Sequence, residues 1–215
     1  MTTIFIAGTG TDVGKTWVAV NLIAALQTRG HTVHARKPAQ SFDPTERGTT
    51  DAELLAHATG EAATTVCPEH RWYEVPMAPP MAAAVLGRPE FTLADLAAET
   101  TIGPSAVTLV EGAGGPRSPL ASDGDNVGFA RAIHAERALL VADAGLGTIN
   151  AVELSVAALS GFETVVALNR FNDSDLHRRN RDWLGRAGHL VVTSIEELVD
   201  QIAARLPTAD SGLNH

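Results

Sequence analysis

Apolar and polar positions along this chain follow two rhythms. Short runs rich in β-branched residues recur as TIFIA (3–7), TVHARK (32–37), AVTLVE (106–111), RALLVAD (137–143), TVVALN (164–169) and HLVVT (189–193). Each is followed by a helical pattern or a turn, and the first leads into a helical stretch from about Lys15 to Arg29 that Gly30 stops. Strands that read as continuous apolar runs, without strict alternation, are those of a parallel sheet covered on both faces. The pattern predicts an α/β fold: a single doubly wound, mostly parallel sheet with helices on both faces.

Residues 38–105 exceed the needs of one crossover and show helical stretches near 51–58, 80–86 and 93–99, with the loop YEVPMAPP among them. This predicts a helical insertion at about 45–104, its last helix opened by a Thr92–Asp95 capping box. One domain over 1–206 and a frayed tail at 207–215 complete the expected organisation, since no linker-like stretch divides the 215 residues.

Composition narrows the function classes. No apolar run has the length to cross a bilayer, and MTTIFIAG lacks the pattern of an export signal, so a soluble, cytoplasmic protein with no membrane partner is expected. Cys67 is the single cysteine, which excludes an internal disulfide and fits a reducing compartment. The net charge of −9 and the want of a basic stripe argue against nucleic acid. An anionic ligand must then be held by local positive groups.

Such groups follow the first strand. GTGTDVGKT (8–16) has the strand, glycine-rich turn, Lys-Thr and helix of a phosphate-binding loop, so the expected fold is of P-loop NTPase type. Backbone N–H groups and a helix N-terminus would cradle the phosphates, Lys15 would reach the outer ones, and the Thr16 hydroxyl would bind Mg²⁺. Gly8, Gly10, Thr11, Asp12, Val13, Gly14, Lys15 and Thr16 form the candidate nucleotide site, one residue longer than the common spacing. A dinucleotide loop is the rival reading, because Gly8, Gly10 and Gly14 also follow a first strand. The second strand ends in Arg36-Lys37, however, where an NAD site wants an acid; only NADP would suit it.

Of sixteen basic residues only Lys15 and Lys37 are lysines. Both fall at the C-terminal ends of strands, where open α/β sheets bind ligands, and lysine is a compact point charge that arginine does not replace. Carboxylates for a hard cation are found at other strand ends: Glu111 closes AVTLVE before the loop GAGG, and Asp143 closes RALLVAD. Asp143 could equally hold the turn AGLG, and Asp51 could be an ordinary first-turn acid after Thr50.

GTGTDVGKT, KPAQS (37–41), TDAELLAHATG, PMAPPMAA, LVEGAGG and DAGLGTIN together resemble, in order and spacing, the dethiobiotin synthetase family, over residues 1 to about 170. The resemblance implies an ATP- and Mg²⁺-dependent cyclo-ligase of biotin synthesis that joins 7,8-diaminononanoate and CO2 through a phosphorylated carbamate. It implies Thr16, Asp51 and Glu111 as metal ligands, and Thr11, Lys15 and Lys37 as catalytic residues. Ser41, Gly112 and Asn150 would contact substrate, with the loop Gly112 to Gly115 lining the cleft, and Asn169 would read adenine. It further implies a homodimer in which the helix start at GTIN receives the substrate carboxylate from the neighbouring subunit.

The chain departs from the family pattern in places. Gly10 stands where an acid is frequent, Phe42 where glycine is usual after Ser41, and Ala151 where histidine is common. HLVVTSIEE lacks the Gly-x-x-Pro type segment that usually completes the base pocket, so loose nucleobase selection is expected. Three alternatives remain: an amide synthase of the same superfamily, a partitioning-type ATPase, and an NADP oxidoreductase. The partitioning loop usually carries an extra lysine where this chain has Gly10, and the oxidoreductase's Tyr-x-x-x-Lys pair is missing.

Overall fold

The computed structural model describes residues 2–45, 48–103 and 107–206; the tail expected at 207–215, and residues 46, 47 and 104 of the expected insertion, lie outside them. From the N-terminus, β1 (Thr2–Gly8) leads through the glycine loop into α1 (Lys15–Thr28), then β2 (Val33–Arg36) and a short β3 (Gln40–Ser41). The inserted stretch supplies α2 (Asp51–Thr59), α3 (Ala63–Val66), a 3₁₀ turn at Glu69–Arg71, β4 (Trp72–Tyr73), α4 (Pro79–Val85) and α5 (Leu93–Glu99). Next come β5 (Val107–Glu111), the hairpin of β6 (Pro119–Ala121) and β7 (Gly124–Asp125), and α6 (Asn126–Ala132). β8 (Arg137–Asp143), α7 (Thr148–Ala158), β9 (Glu163–Asn169), α8 (Asp175–Arg186), β10 (Leu190–Val192) and α9 (Ile195–Ala203) follow.

Six strands form one parallel sheet in the order β10-β9-β8-β1-β5-β2. Its middle strands read as unbroken apolar runs because both faces are covered, and the residues of β1 divide between them. Ile4 and Ile6 pack with Val18, Leu22 and Leu26 of α1 and with Leu198 and Ile202 of α9. Phe5 and Ala7 join Val127 and Phe129 of α6 and Val152 of α7 on the opposite face. The expected doubly wound fold is therefore present.

Strand order reverses around β1, which is where such sheets open a crevice at their C-terminal edge. Register sets what meets there. Ile6 is level with Glu111, and Arg36 with Val110, so Lys37 leaves β2 at the height of Glu111. On the other flank Gly8 pairs with Val141 and Asp143 with Asn169.

The insertion folds over this edge and carries its own signals. Thr50 caps α2 with a complete capping box to Glu53, and Thr92 caps α5 the same way with Asp95, the box expected from sequence. The small pair β3–β4 brings Gln40 beside Trp72 and Ser41 beside Tyr73, tying the end of KPAQS to the insertion.

Candidate functional site

The glycine loop turns sharply enough to exclude side chains at two of its glycines. A Cβ on Gly8 would stand 2.7 Å from the Gly10 carbonyl oxygen, and Gly14, at φ 89°, would put one 2.1 Å from Asn169 Nδ2. Gly10 has open space around its Cα, so the acid frequent there in the family would find room. Gly14 starts α1 without any side-chain cap, which leaves the first N–H groups of the helix free for an anion.

Below the loop four charged groups converge. Lys15 is buried and its Nζ donates to the Gly10 carbonyl at 3.1 Å. Lys37, also buried, donates to Glu111 Oε1 at 2.7 Å and to Asp51 Oδ2. Thr16 Oγ1 lies 2.7 Å from Asp51 Oδ1 and 2.9 Å from Glu111 Oε1. Lys15, Thr16, Lys37 and Asp51 line one cavity of about 740 Å3 with Thr11, Ser41, Phe42, the Pro76–Pro79 turn, Ala113 and Gly114, and Glu111 is buried behind Lys37 and Thr16.

The electrostatics are those of a closed set. Burial depresses the Lys15 ammonium, and the neighbouring Lys37 charge depresses it further. Burial would depress Lys37 too, but the Glu111 and Asp51 carboxylates outweigh it and hold Lys37 above the usual lysine value. For Asp51, burial works upward and the Lys37 ammonium prevails, keeping the carboxyl below its ordinary value. Two ammonium groups against two carboxylates leave this four-group cluster formally neutral.

Thr16, Asp51 and Glu111 fit a divalent cation. A hydroxyl has one proton, yet Thr16 Oγ1 stands at hydrogen-bond distance from two carboxylate oxygens, so one of these contacts joins oxygens with no hydrogen between them. Glu111 is 1 % exposed and its second oxygen, Oε2, has no hydrogen-bond partner among the described residues. Three hard oxygen donors converging with too few protons is a donor set suited to Mg²⁺.

The remaining sequence candidates occupy varied positions. Ser41 Oγ is buried at the cavity wall without a hydrogen-bond partner among the described residues, and Thr11 is exposed on the loop across from Gly114. Gly112 does not line the cavity; it packs against Phe5 and Asn126, where a Cβ would stand 2.3 Å from Asn126 Oδ1. Asn150 lies exposed in the first turn of α7, away from this cavity. Asp143 holds its own turn, accepting from Gly145 N at 2.8 Å and from Arg170 at 2.9 Å, the structural role left open for it above. Asn169 donates through Nδ2 to the Val13 carbonyl at 2.9 Å, which fastens the end of β9 to the glycine loop.

Two residues without a motif also shape the site. Asn126, buried at the start of α6, donates to the carbonyls of Ala113, Gly115 and Ser118 and accepts from Ala113 N, which fixes the GAGG loop. Arg170 bonds Asp143 and the Asp12 carbonyl, bridging β8 and the glycine loop. Only Arg170 left a trace in the sequence, as a cation placed directly after a strand-end asparagine.

A second, more apolar cleft of about 410 Å3 adjoins the cavity, with Gly14 and Arg170 lining both. Trp17, Asn169, Phe171, Thr193, Ser194 and Leu198 contribute to its walls.

Residues 2–206 match the family model described as AAA domain. The chain is 41 % identical over 160 residues to the ATP-dependent dethiobiotin synthetase of Corynebacterium efficiens, spanning 74 % of this chain and 70 % of that relative. It is 34 % identical over 181 residues to the enzyme of the same name from Aquifex aeolicus, spanning 82 % and 80 %. Among solved structures, a plasmid partition protein of Borrelia burgdorferi bound to AMPPNP superposes with a TM-score of 0.60 at 11 % identity, covering 95 % of this chain and 99 % of that one. A signal recognition particle receptor, FtsY of Elizabethkingia anophelis, gives 0.56 at 14 % identity over 93 % of this chain and 64 % of its own; both likenesses concern the fold alone. The identities over most of both chains decide the matter: this chain belongs to the dethiobiotin synthetase family of ATP-dependent ligases.

Proposed function

We propose that this enzyme closes a ureido ring on 7,8-diaminononanoate, using CO2 and ATP in the cytoplasm. The observation that carries the reading is the convergence of Lys15, Lys37, Thr16, Asp51 and Glu111 under a loop that leaves helix N–H groups free. One substrate amine adds to CO2 and loses a proton, giving a carbamate. A carbamate oxygen attacks the γ-phosphorus of ATP, and the bond to ADP breaks. The second amine then attacks the carbonyl of the resulting mixed anhydride, loses its proton, and expels phosphate as the ring closes.

Both transfers depend on holding two reactants together and on offsetting negative charge. Lys15 and the N-terminus of α1 serve the outer phosphates. Lys37 faces the carbamate and the transferred phosphoryl group, and Ser41 Oγ and Thr11 are hydroxyl donors beside them. Mg²⁺, held by Thr16, Asp51 and Glu111, supplies charge neutralisation for the triphosphate when bound. The adenine belongs in the apolar cleft beside Asn169. A homodimer completes the reading: the N-terminus of α7, with Asn150, receives the substrate carboxylate of the neighbouring subunit, and Leu146 and Leu154, 92 % and 66 % exposed, flank it as apolar surface for that contact.

The test is phosphate release from ATP, with the diamine and bicarbonate each supplied or withheld. Release that needs both supports the reading. Turnover indifferent to the diamine and raised by lipid or DNA overturns it in favour of a switch ATPase.

A further inference from the structure

The apolar cleft beside the glycine loop has one wall that stands largely exposed. Trp17 sits in the first turn of α1, directly after Lys15 and Thr16, and is 56 % exposed at the mouth of that cleft. Its neighbour Val18 is buried in the core, so the helix turns the indole outward. The cleft also meets the phosphate cavity at Gly14 and Arg170, so a ligand whose phosphates lie on the loop carries its attached group past Trp17.

The polar side chains of the cleft are already engaged. Asn169 Nδ2 donates to the Val13 carbonyl. The Thr193 hydroxyl and backbone N–H both donate to Glu197 Oε2, at 3.1 and 2.7 Å, and Ser194 Oγ accepts the Glu197 N–H as the cap of α9. The Arg170 guanidinium is held by Asp143 and the Asp12 carbonyl. What these side chains have left over is the Asn169 Oδ1 acceptor and second Nδ2 hydrogen, the Ser194 hydroxyl hydrogen and the remaining Arg170 N–H groups, a mixture of donors and acceptors that singles out no one base.

We infer that Trp17 is the stacking platform for the nucleobase, and that base affinity here comes from this aromatic face, with little reading of the base edge. The inference rests on the nucleotide assignment made above. A π-face accepts every base, whereas strong selection requires hydrogen-bonding groups that the wrong base would leave unpaired.

The experiment compares dissociation constants for ATP, GTP, CTP and inorganic tripolyphosphate in the wild type, Trp17→Ala and Trp17→Phe. The wild type should bind the three nucleotides within about tenfold of one another. Trp17→Ala should weaken ATP and GTP about tenfold or more, CTP by less, and tripolyphosphate not at all; Trp17→Phe should restore most of the loss. Unchanged ATP binding in Trp17→Ala, an equal loss for tripolyphosphate in a variant with native circular dichroism, or a wild-type preference for ATP above about a hundredfold would each overturn it. Phosphate release with the diamine and bicarbonate, measured on the same wild-type preparation, separates the two claims. Ring closure can fail while Trp17 still governs base affinity, and Trp17 can prove irrelevant in an active ligase.

Discussion

Removing the Lys37 ammonium tests the closed charge set directly. Lys37→Ala leaves Glu111, 1 % exposed, without the donor 2.7 Å from its Oε1, and leaves Asp51 without a counter-charge on the same side. The two carboxylates then share a single Thr16 proton. Breaking a buried pair by deleting one member costs about 3–5 kcal/mol. In a protein of this size each kcal/mol lowers the midpoint by roughly 2–4 °C, so the variant should melt about 6–20 °C below the wild type yet remain folded at room temperature. Adding Glu111→Gln removes the stranded charge, and the double variant should recover at least about 1 kcal/mol relative to Lys37→Ala. Ring closure should be lost in both, while ATP binding persists through Lys15 and the loop. Differential scanning calorimetry and equilibrium binding read the two effects. A Lys37→Ala midpoint within about 2 °C of wild type, or a double variant no more stable than the single, refutes the reasoning.

Two further outcomes follow. The Asp51 carboxyl is held below its ordinary 3.8 by Lys37, so its contribution to stability is present above that value and is lost as pH falls through the lower folded value. The difference in melting temperature between wild type and Asp51→Asn should stay level from about pH 5 to 8 and shrink below about pH 4; a difference that persists to about pH 2 contradicts the assignment. Burial pushes the Cys67 thiol up to about 12, so native protein should resist a maleimide at neutral pH and react only in denaturant, as mass spectrometry would record.

The sheet was legible because each central strand is covered twice, which forces an unbroken apolar run such as RALLVAD. The glycine loop was legible for a different reason: few residues other than glycine survive at Gly8 and Gly14, where neighbouring atoms stand within 3 Å of a Cβ. Asp51 was harder to read, because a first-turn acid behind a threonine cap is common wherever helices start, and only the fold brings it to Thr16. The β6–β7 hairpin and Asn126 left no periodic signal. Their strands are two and three residues long, and an asparagine that binds three carbonyls looks in sequence like any turn residue. Gly112 shows the opposite limit: the resemblance implied contact with substrate, and nothing in the sequence told that its surroundings also require glycine for packing against Phe5 and Asn126.

Asp12 holds φ at 59°, a backbone region few side chains enter without cost, and the Arg170 guanidinium grips its carbonyl at 2.7 Å. The loop is thereby kept in its anion-receiving shape before any anion arrives, so the ordering penalty is met during folding and does not reduce affinity at each turnover. Because the same guanidinium is anchored to Asp143, the rigid frame of the sheet is what keeps the loop taut.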